Sequence, residues 1–182
     1  KSQSDFLNRL RIKLKNRNIR DIINSPQKPN VLLIGESIID EYVFCEALGK
    51  SGKEPVLVLR DMYTEQYMGG AIAIAKNLSN FCKTITLLTM IGEDEKYKNI
   101  ILKNLPKNVK TFFIKKKNSP TILKKRYIEV NNKNKILGIY QINEQSLQEI
   151  NEKQFQKYLK KFIAKNDLII ASDYGHGLIS KK

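Results

Sequence analysis

The stretch QYMGGAIAIAKNLSNFC, residues 66–82, decides the fold more than any other part of the sequence. Gly69 and Gly70 open a predicted helix of small residues directly behind a strand-rich segment. Residues without a β-carbon allow positive φ and close backbone approach, and the first N–H groups of a helix are unpaired and positively polarised. Two interpretations follow. The glycines form a dock for hydroxyls or phosphates, or they mark only a tight turn with close helix–sheet packing.

Strands and helices alternate on both sides of this stretch, which implies parallel strands joined by right-handed crossovers, with helices covering a central sheet. The predicted fold class is therefore α/β with a mostly parallel sheet. The predicted elements are a strand at 31–35, a helix from 71 to about 81, a strand at 85–91, a helix from about 95 to 105, a strand at 111–114, a long amphipathic helix carrying residues 147–163 and a last strand at 167–172.

Two β-rich segments interrupt this alternation. In the first, strands are predicted around Tyr42–Cys45 and Val56–Arg60, separated by glycines and a proline. In the second, TILKKRYIEV and KILGIYQI flank an Asn-Lys-rich turn at 131–134. Both are expected to form antiparallel hairpins. Together they predict a small sheet beside the main one, where it could cover a site.

Composition restricts the class of protein. With 182 residues and 41% hydrophobic content, the chain is long enough for one sizeable core. No apolar run approaches the roughly 18 residues that span a bilayer, and the N-terminus lacks the apolar centre of a secretion signal. We therefore expect a cytoplasmic protein without a membrane partner. The two cysteines occur without a CxxC or Cys/His cluster, which argues against a disulfide framework and a zinc site.

The formal charge of +15 raises the alternative of a nucleic-acid-binding module. The basic residues are spread along the chain, however, and no stripe of arginines with interleaved aromatics is present. No specific nucleic-acid partner is expected, whereas attraction to anionic substrates remains. Residues 1–29 are predicted to form a basic helix, at 5–23, followed by a linker.

Two carboxylates follow predicted strands. Asp40 lies just past the first strand and Asp173 directly after the last. Because parallel strands end on one edge of a sheet, both could converge with Gly69 and Gly70 in one crevice. In the alternative interpretation, the two aspartates only cap turns or helices.

Other chemical motifs are excluded or weak. A phosphate-binding P-loop is excluded at 48–51, since Phe44 stands where its first glycine belongs and a strand follows. His176 is the only histidine, so a multi-histidine metal site is impossible. In its glycine-flanked loop this side chain is expected to be exposed.

Six stretches, in this order, resemble the N-terminal part of the ribokinase-like (PfkB) family of sugar kinases, and most closely its heptose-phosphate kinase branch. They are GESIIDEY at 35–42, KEPVLV at 53–58, GGAIAIA at 69–75, IGED at 91–94, SPTILKKRYI at 119–128 and SDYGHG at 172–177. The resemblance implies a ribokinase-like sheet with a β lid formed by about 41–60 and 119–142. It also implies that residues 30–182 are the N-terminal part of the kinase domain.

The resemblance also implies site residues. Asp40 would hold sugar hydroxyls, Gly69 and Gly70 would offer backbone contacts, and Asp173 would line the same pocket. Lys124 and Arg126 would meet a phosphate already on the sugar. For these two basic residues, a solvated strand face is the alternative. No metal ligand is identified.

The sequence departs from the family pattern at three places. Ala73 stands where the family has an asparagine that contacts substrate, and Tyr97 stands where it often has glycine. The sequence also stops before the glycine-rich motif that supplies the anion hole and the catalytic base. The catalytic residues are therefore expected beyond Lys182, together with most of the site for ATP and Mg²⁺, and the chain alone is expected to be inactive.

The implied function is ATP-dependent phosphorylation of a heptose-phosphate-like sugar in nucleotide-sugar and surface-polysaccharide biosynthesis. This chain would supply the sugar-binding half. The implied partners are a fused nucleotidyltransferase domain and a second copy that pairs through the lid. The alternative function is a non-catalytic sugar-binding or regulatory protein of the same fold.

Overall fold

The computed structural model describes residues 27–180 and, before them, residues 4, 5, 8, 9, 12 and 25. Apart from those isolated positions, the predicted basic helix at 5–23 lies outside the described residues. None of the described helices is long and apolar enough to cross a membrane. The elements are β1 (Asn30–Lys50), β2 (Leu57–Gly70), α1 (Ala71–Leu78) followed by a 3₁₀ turn (Ser79–Phe81), β3 (Thr84–Gly92), α2 (Lys98–Asn104), β4 (Val109–Lys116), β5 (Ile122–Glu129), β6 (Lys135–Gln141), α3 (Glu149–Ile163) and β7 (Leu168–Ser172).

Strand β1 belongs to two sheets. From Asn30 to Glu36 it lies between β3 and β7 and runs parallel to both. From Ser37 onward it pairs antiparallel with β2 and parallel with β5. The prediction of two separate strands, at 31–35 and 42–45, was therefore wrong. The chain stays extended between them because hydrogen-bonding partners flank β1 on both sides along this stretch.

The main sheet has the order β4-β3-β1-β7, and all four strands are parallel. Side chains alternate across β1, so Leu32 and Ile34 pack in the same cluster as Phe162 of α3. Val31 and Leu33 point to the other face and pack with Ala71 and other residues of α1. A parallel strand covered on both faces explains the continuous apolar run at 31–34. The predicted mostly parallel sheet with flanking helices is confirmed.

The second sheet consists of β2, residues 37–50 of β1, β5 and β6, and we call it the lid sheet. Strands β1 and β2 form one antiparallel hairpin, and β5 and β6 form the other. Both predicted hairpins are confirmed. The turn at 131–134 is organised by Glu129, whose carboxylate accepts hydrogen bonds from the backbone N–H groups of Asn131 and Asn132 at 2.9 Å.

Strand β7 lies at one edge of the main sheet, since in the described part of the chain it pairs only with β1. Its sequence, LIIAS, is the apolar run of a strand covered on both faces. Leu168 and Ile169 are nevertheless 48% and 44% exposed. An apolar edge strand of this kind leaves backbone hydrogen-bonding groups available for a further strand.

Candidate functional site

One face of the lid sheet gathers aromatic and charged side chains. Residues paired across neighbouring strands point to the same face, and Asp40 lies opposite Tyr67 on β2 and Lys124 on β5. A groove of about 380 Å³ opens on this face. We call this surface the open lid face, and its residues are Asp40, Tyr42, Phe44, Tyr63, Glu65, Tyr67, Lys124, Arg126 and Tyr140.

Asp40 and Arg126 form an ion pair at the centre of this face. The guanidinium donates a hydrogen bond to Asp40 Oδ1 across 2.6 Å, and both side chains are about one-fifth exposed, at 23% and 19%. Arg126 also lies over the rings of Tyr42 and Tyr140, 5.6 and 5.5 Å from their centroids. The hydrogen bond to Asp40 raises the pKa of Arg126. Arg126 is therefore a fixed cation that orients the Asp40 carboxylate.

The two glycines lie where the sequence predicted, at the junction of strand and helix. They are the last residues of β2, and Gly70, with φ of 58°, precedes the first residue of α1. A β-carbon on Gly69 would collide with the Asp40 carboxylate, and one on Gly70 would collide with the carbonyl oxygen of Glu36. The structure therefore shows the close backbone packing that the second interpretation predicted for Gly69 and Gly70. A backbone contact to a ligand remains a prediction.

Lys124 is the unpaired cation of the open lid face. Among the described residues it makes no hydrogen bond or ion pair, although it lies in register with Asp40 on one side and Tyr140 on the other. Asp40 and Arg126 neutralise each other, and Glu65 is the remaining acidic side chain of the open lid face, so Lys124 is a local cation on a face without net charge. Such a face suits a ligand that has both hydroxyls and an anionic group.

Asp173 is exposed and serves a local turn. Its Oδ1 accepts a hydrogen bond from the backbone N–H of Gly175 at 2.9 Å. Within the described part of the chain, no hydrogen bond or ion pair joins it to Asp40, Lys124 or Arg126. The Asp173–Gly175 hydrogen bond is the one expected if Asp173 only caps a turn. A ligand-binding role for Asp173 remains a prediction.

Sequence reasoning missed Glu36, which is fully buried at the end of the main-sheet part of β1. Its carboxylate accepts hydrogen bonds from the backbone N–H groups of Tyr174, His176 and Leu178, at 3.0, 3.3 and 3.4 Å. These bonds hold the loop after β7 against β1. A carboxylate directly after a buried apolar run was the available signal, since a buried charge requires hydrogen-bonding partners.

The expectation that His176 is exposed was wrong: it is 5% exposed. Glu36 binds its backbone N–H, and buried Lys116 donates to its carbonyl oxygen at 2.9 Å, so the loop is held from both sides. In the part of the chain that the structure describes, neither ring nitrogen has a hydrogen-bonding partner. Burial first, and then the positive charge of Lys124, lower the pKa of His176.

Tyr97, the second departure from the family pattern, is also buried. Its ring packs in a cluster with Ile39, Ile72, Ile101 and other apolar residues, between the lid sheet and helices α1 and α2. The position where the family often has glycine is therefore filled here by an aromatic core residue at the base of the lid sheet.

The chain is similar in sequence to known proteins. No protein-family model matches the chain. The bifunctional protein HldE of Nitratiruptor sp. is 30% identical over 158 residues, which are 85% of this chain and 33% of that protein. The D-beta-D-heptose 7-phosphate kinase of Bordetella bronchiseptica is 26% identical over 163 residues, 85% of this chain and 48% of that one. The chain thus spans a third to a half of these relatives.

Solved structures show the same fold. Phosphofructokinase-2 of Escherichia coli in complex with fructose-6-phosphate superposes with a TM-score of 0.58 at 13% identity, over 81% of this chain and 47% of that chain. A carbohydrate kinase of Agrobacterium tumefaciens gives a TM-score of 0.52 at 16% identity, over 78% and 44%. The chain therefore has the ribokinase-like fold. It contains part of that fold, and the predicted fold class and resemblance are confirmed.

Proposed function

We propose that the open lid face binds a phosphorylated sugar of the heptose type, and that the complete protein is an ATP-dependent kinase of that sugar. The observation that carries this proposal is the Asp40–Arg126 pair beside the unpaired Lys124. A carboxylate held in one orientation accepts hydrogen bonds from sugar hydroxyls, and a free ammonium attracts a phosphate. The relatives named as heptose 7-phosphate kinase and HldE support the sugar class.

The aromatic side chains of the open lid face suit a sugar ring. Tyr42 and Tyr67 meet edge to face, with centroids 5.6 Å apart, and line the groove next to Asp40. Rigid aromatic rings offer apolar contact area at a small entropic cost, while the few polar groups between them fix orientation. Asp40 would orient the sugar through its hydroxyls, and Lys124 would hold the phosphate.

The resemblance supplies the rest of the proposed reaction. It implies that ATP, Mg²⁺ and the catalytic base are held by other parts of the complete protein. Among the described residues, no group of three Cys, His, Asp or Glu side chains could hold a metal ion. The part of the fold in this chain binds and orients the sugar and covers it with the lid sheet.

The partners are part of the proposal. A fused nucleotidyltransferase domain is supported by the bifunctional relatives. A second copy is supported by apolar side chains on the lid strands, among which Met62, Leu137 and Ile139 are each about half exposed. Light scattering coupled to size-exclusion chromatography tests that pairing, and a monomer at all concentrations would contradict it.

Calorimetric titration of the chain with heptose 7-phosphate tests the binding proposal, with unphosphorylated heptose as the matched ligand. We expect tighter binding of the phosphate ester, loss of that advantage in Lys124→Met, and weak binding of both ligands by Asp40→Asn. Lys103→Met, at an exposed position of α2, is the control and retains the wild-type affinities. Equal affinities in all four proteins would contradict the assignment of the site.

Turnover separates the kinase from the non-catalytic alternative. The complete protein is expected to transfer phosphate from ATP to heptose 7-phosphate, whereas the 182-residue chain is expected to bind without turnover. A complete protein that binds the sugar but never phosphorylates it would instead support a sugar-binding or regulatory protein.

A further inference from the structure

The His176 side chain, in the loop after β7, is buried without a role in the site described above. The residue is 5% exposed, both ring nitrogens are buried, and among the described residues neither Nδ1 nor Nε2 has a hydrogen-bonding partner. Buried polar atoms in folded proteins are almost always satisfied, so a ring without a protein partner indicates strain, a function, or a bound water molecule or ion. The ring is not loosely placed, because its backbone is bound to Glu36 and to Lys116.

Charged groups from four parts of the fold surround this ring. Lys124 of β5 and Lys116 of β4 lower the pKa of His176, while Glu36 of β1 and Glu144, before α3, raise it. Burial acts in the same direction as the lysines and is the largest of these effects. The net shift is downward, so the imidazole is neutral at pH 7 in the free protein.

Lys124 connects this ring to the proposed ligand. It is the cation with the largest effect on His176, and it is also the unpaired cation of the open lid face. Lys116, in contrast, already donates to two carbonyl oxygens, those of Asn143 and His176. A change in the charge near Lys124 therefore changes the pKa of the His176 imidazole.

We propose that binding of an anionic sugar ester at Lys124 is coupled to the uptake of a proton by His176. The inference rests on the proposed function for the ligand class, and on the buried, unpartnered ring for the coupling. The phosphate neutralises the ammonium that opposes protonation, and it adds negative charge to the same region. A proton from solvent then binds a ring nitrogen, and the imidazolium in turn favours the bound anion.

The coupling is reciprocal. If ligand binding favours the protonated ring, lower pH must favour ligand binding by the same factor. One linked proton changes affinity by at most about tenfold per pH unit. The phosphate ester itself also titrates, near pH 6. If its dianion binds best, protonation of the ester weakens binding as pH falls, which opposes the effect of His176. The linkage must therefore be measured as a difference between wild type and a variant without the imidazole.

The single histidine makes the free protein testable without any ligand. The His176 ring gives the only histidine resonances in a proton NMR titration of the chain. We expect its midpoint to lie below the ordinary value of about 6.5, to rise in Lys124→Met, and to be unchanged in Lys103→Met, at an exposed position of α2. A midpoint that does not respond to Lys124→Met would overturn the coupling, whether or not a sugar binds.

The bound state is tested by the same titration with heptose 7-phosphate, and by calorimetry at pH 7 in buffers of different ionisation enthalpy. We expect the His176 midpoint to rise on binding, and wild type to take up more protons per ligand than His176→Gln. Binding with equal proton uptake in both proteins would overturn this inference and leave the proposed function intact. Absence of binding would overturn both. The NMR titration uses wild-type protein, so the test does not depend on how the variant folds.

Discussion

The carboxylate of Asp40 occupies the space that a side chain at position 69 would need. A β-carbon on Gly69 would collide with Asp40 Oδ2, although the two residues lie on neighbouring strands of the lid sheet. The glycine therefore permits the position from which Asp40 accepts the hydrogen bond of Arg126. The glycine pair serves the candidate site through packing, whether or not its backbone touches a ligand.

Replacing Gly69 by alanine is expected to displace Asp40. Overpacking of this kind costs about 1–3 kcal/mol of unfolding free energy, and the displaced carboxylate should weaken binding of both heptose and heptose 7-phosphate. Chemical denaturation and calorimetry measure the two effects. Gly52→Ala is the matched control, because a β-carbon there meets nothing within 4 Å. Wild-type affinity in Gly69→Ala would show that Asp40 does not orient the sugar.

The Asp40–Arg126 pair is expected to stabilise the lid sheet measurably. Because both side chains are mostly buried, Asp40→Asn and Arg126→Met should each lower the free energy of unfolding by about 1–3 kcal/mol. The double variant should lose less than the sum of the two, since the residues interact directly. Urea denaturation of the four proteins gives the coupling energy. Strict additivity would mean that the ion pair contributes nothing to stability.

Glu36 is expected to be essential for the loop that carries His176. An amide at position 36 retains one acceptor oxygen and turns an N–H₂ group toward backbone N–H donors. Glu36→Gln should therefore lose about 1–3 kcal/mol of stability. The exposed Glu54→Gln is the control. Hydrogen exchange at residues 174, 176 and 178 locates the effect, and unchanged protection at these amides would contradict the assigned bonds.

The lowered pKa of His176 predicts an acid-sensitive fold. The unfolded chain binds a proton on this ring below about pH 6.5, whereas the folded chain binds it only below its lowered pKa. Between those two values the unfolded state holds more protons, so stability falls as pH falls. Urea midpoints from pH 7.5 to 5 should decline less in His176→Gln than in wild type. Parallel declines would show that the ring titrates alike in both states.

Much of the fold was predictable because it depends on local patterns. Three segments each have a pattern that indicates one element type. They are the apolar run at 31–34, the small-residue helix after Gly70 and the amphipathic helix carrying residues 147–163. Two β-rich segments with turn residues between them predicted the two hairpins. The length of β1 was not predictable. Residues 37–41, between the two predicted strands, stay extended only because β2 and β5 flank them.

The candidate site was predictable only in part. Residue type, order and spacing alone predicted an α/β fold, the strand–helix junction at Gly69 and Gly70, and Asp40 as a candidate site residue. The ribokinase-like assignment and the roles of Lys124 and Arg126 were implied by the family resemblance. Only the tertiary structure decided that Arg126 binds Asp40, that Asp173 caps its own turn and that the His176 ring is buried without a hydrogen-bonding partner among the described residues. Arg126 and Asp40 are 86 positions apart, and the bonds that hold the His176 loop join Glu36 to residues up to 142 positions away. Burial and charge at such distances arise only when the sheet brings the strands together.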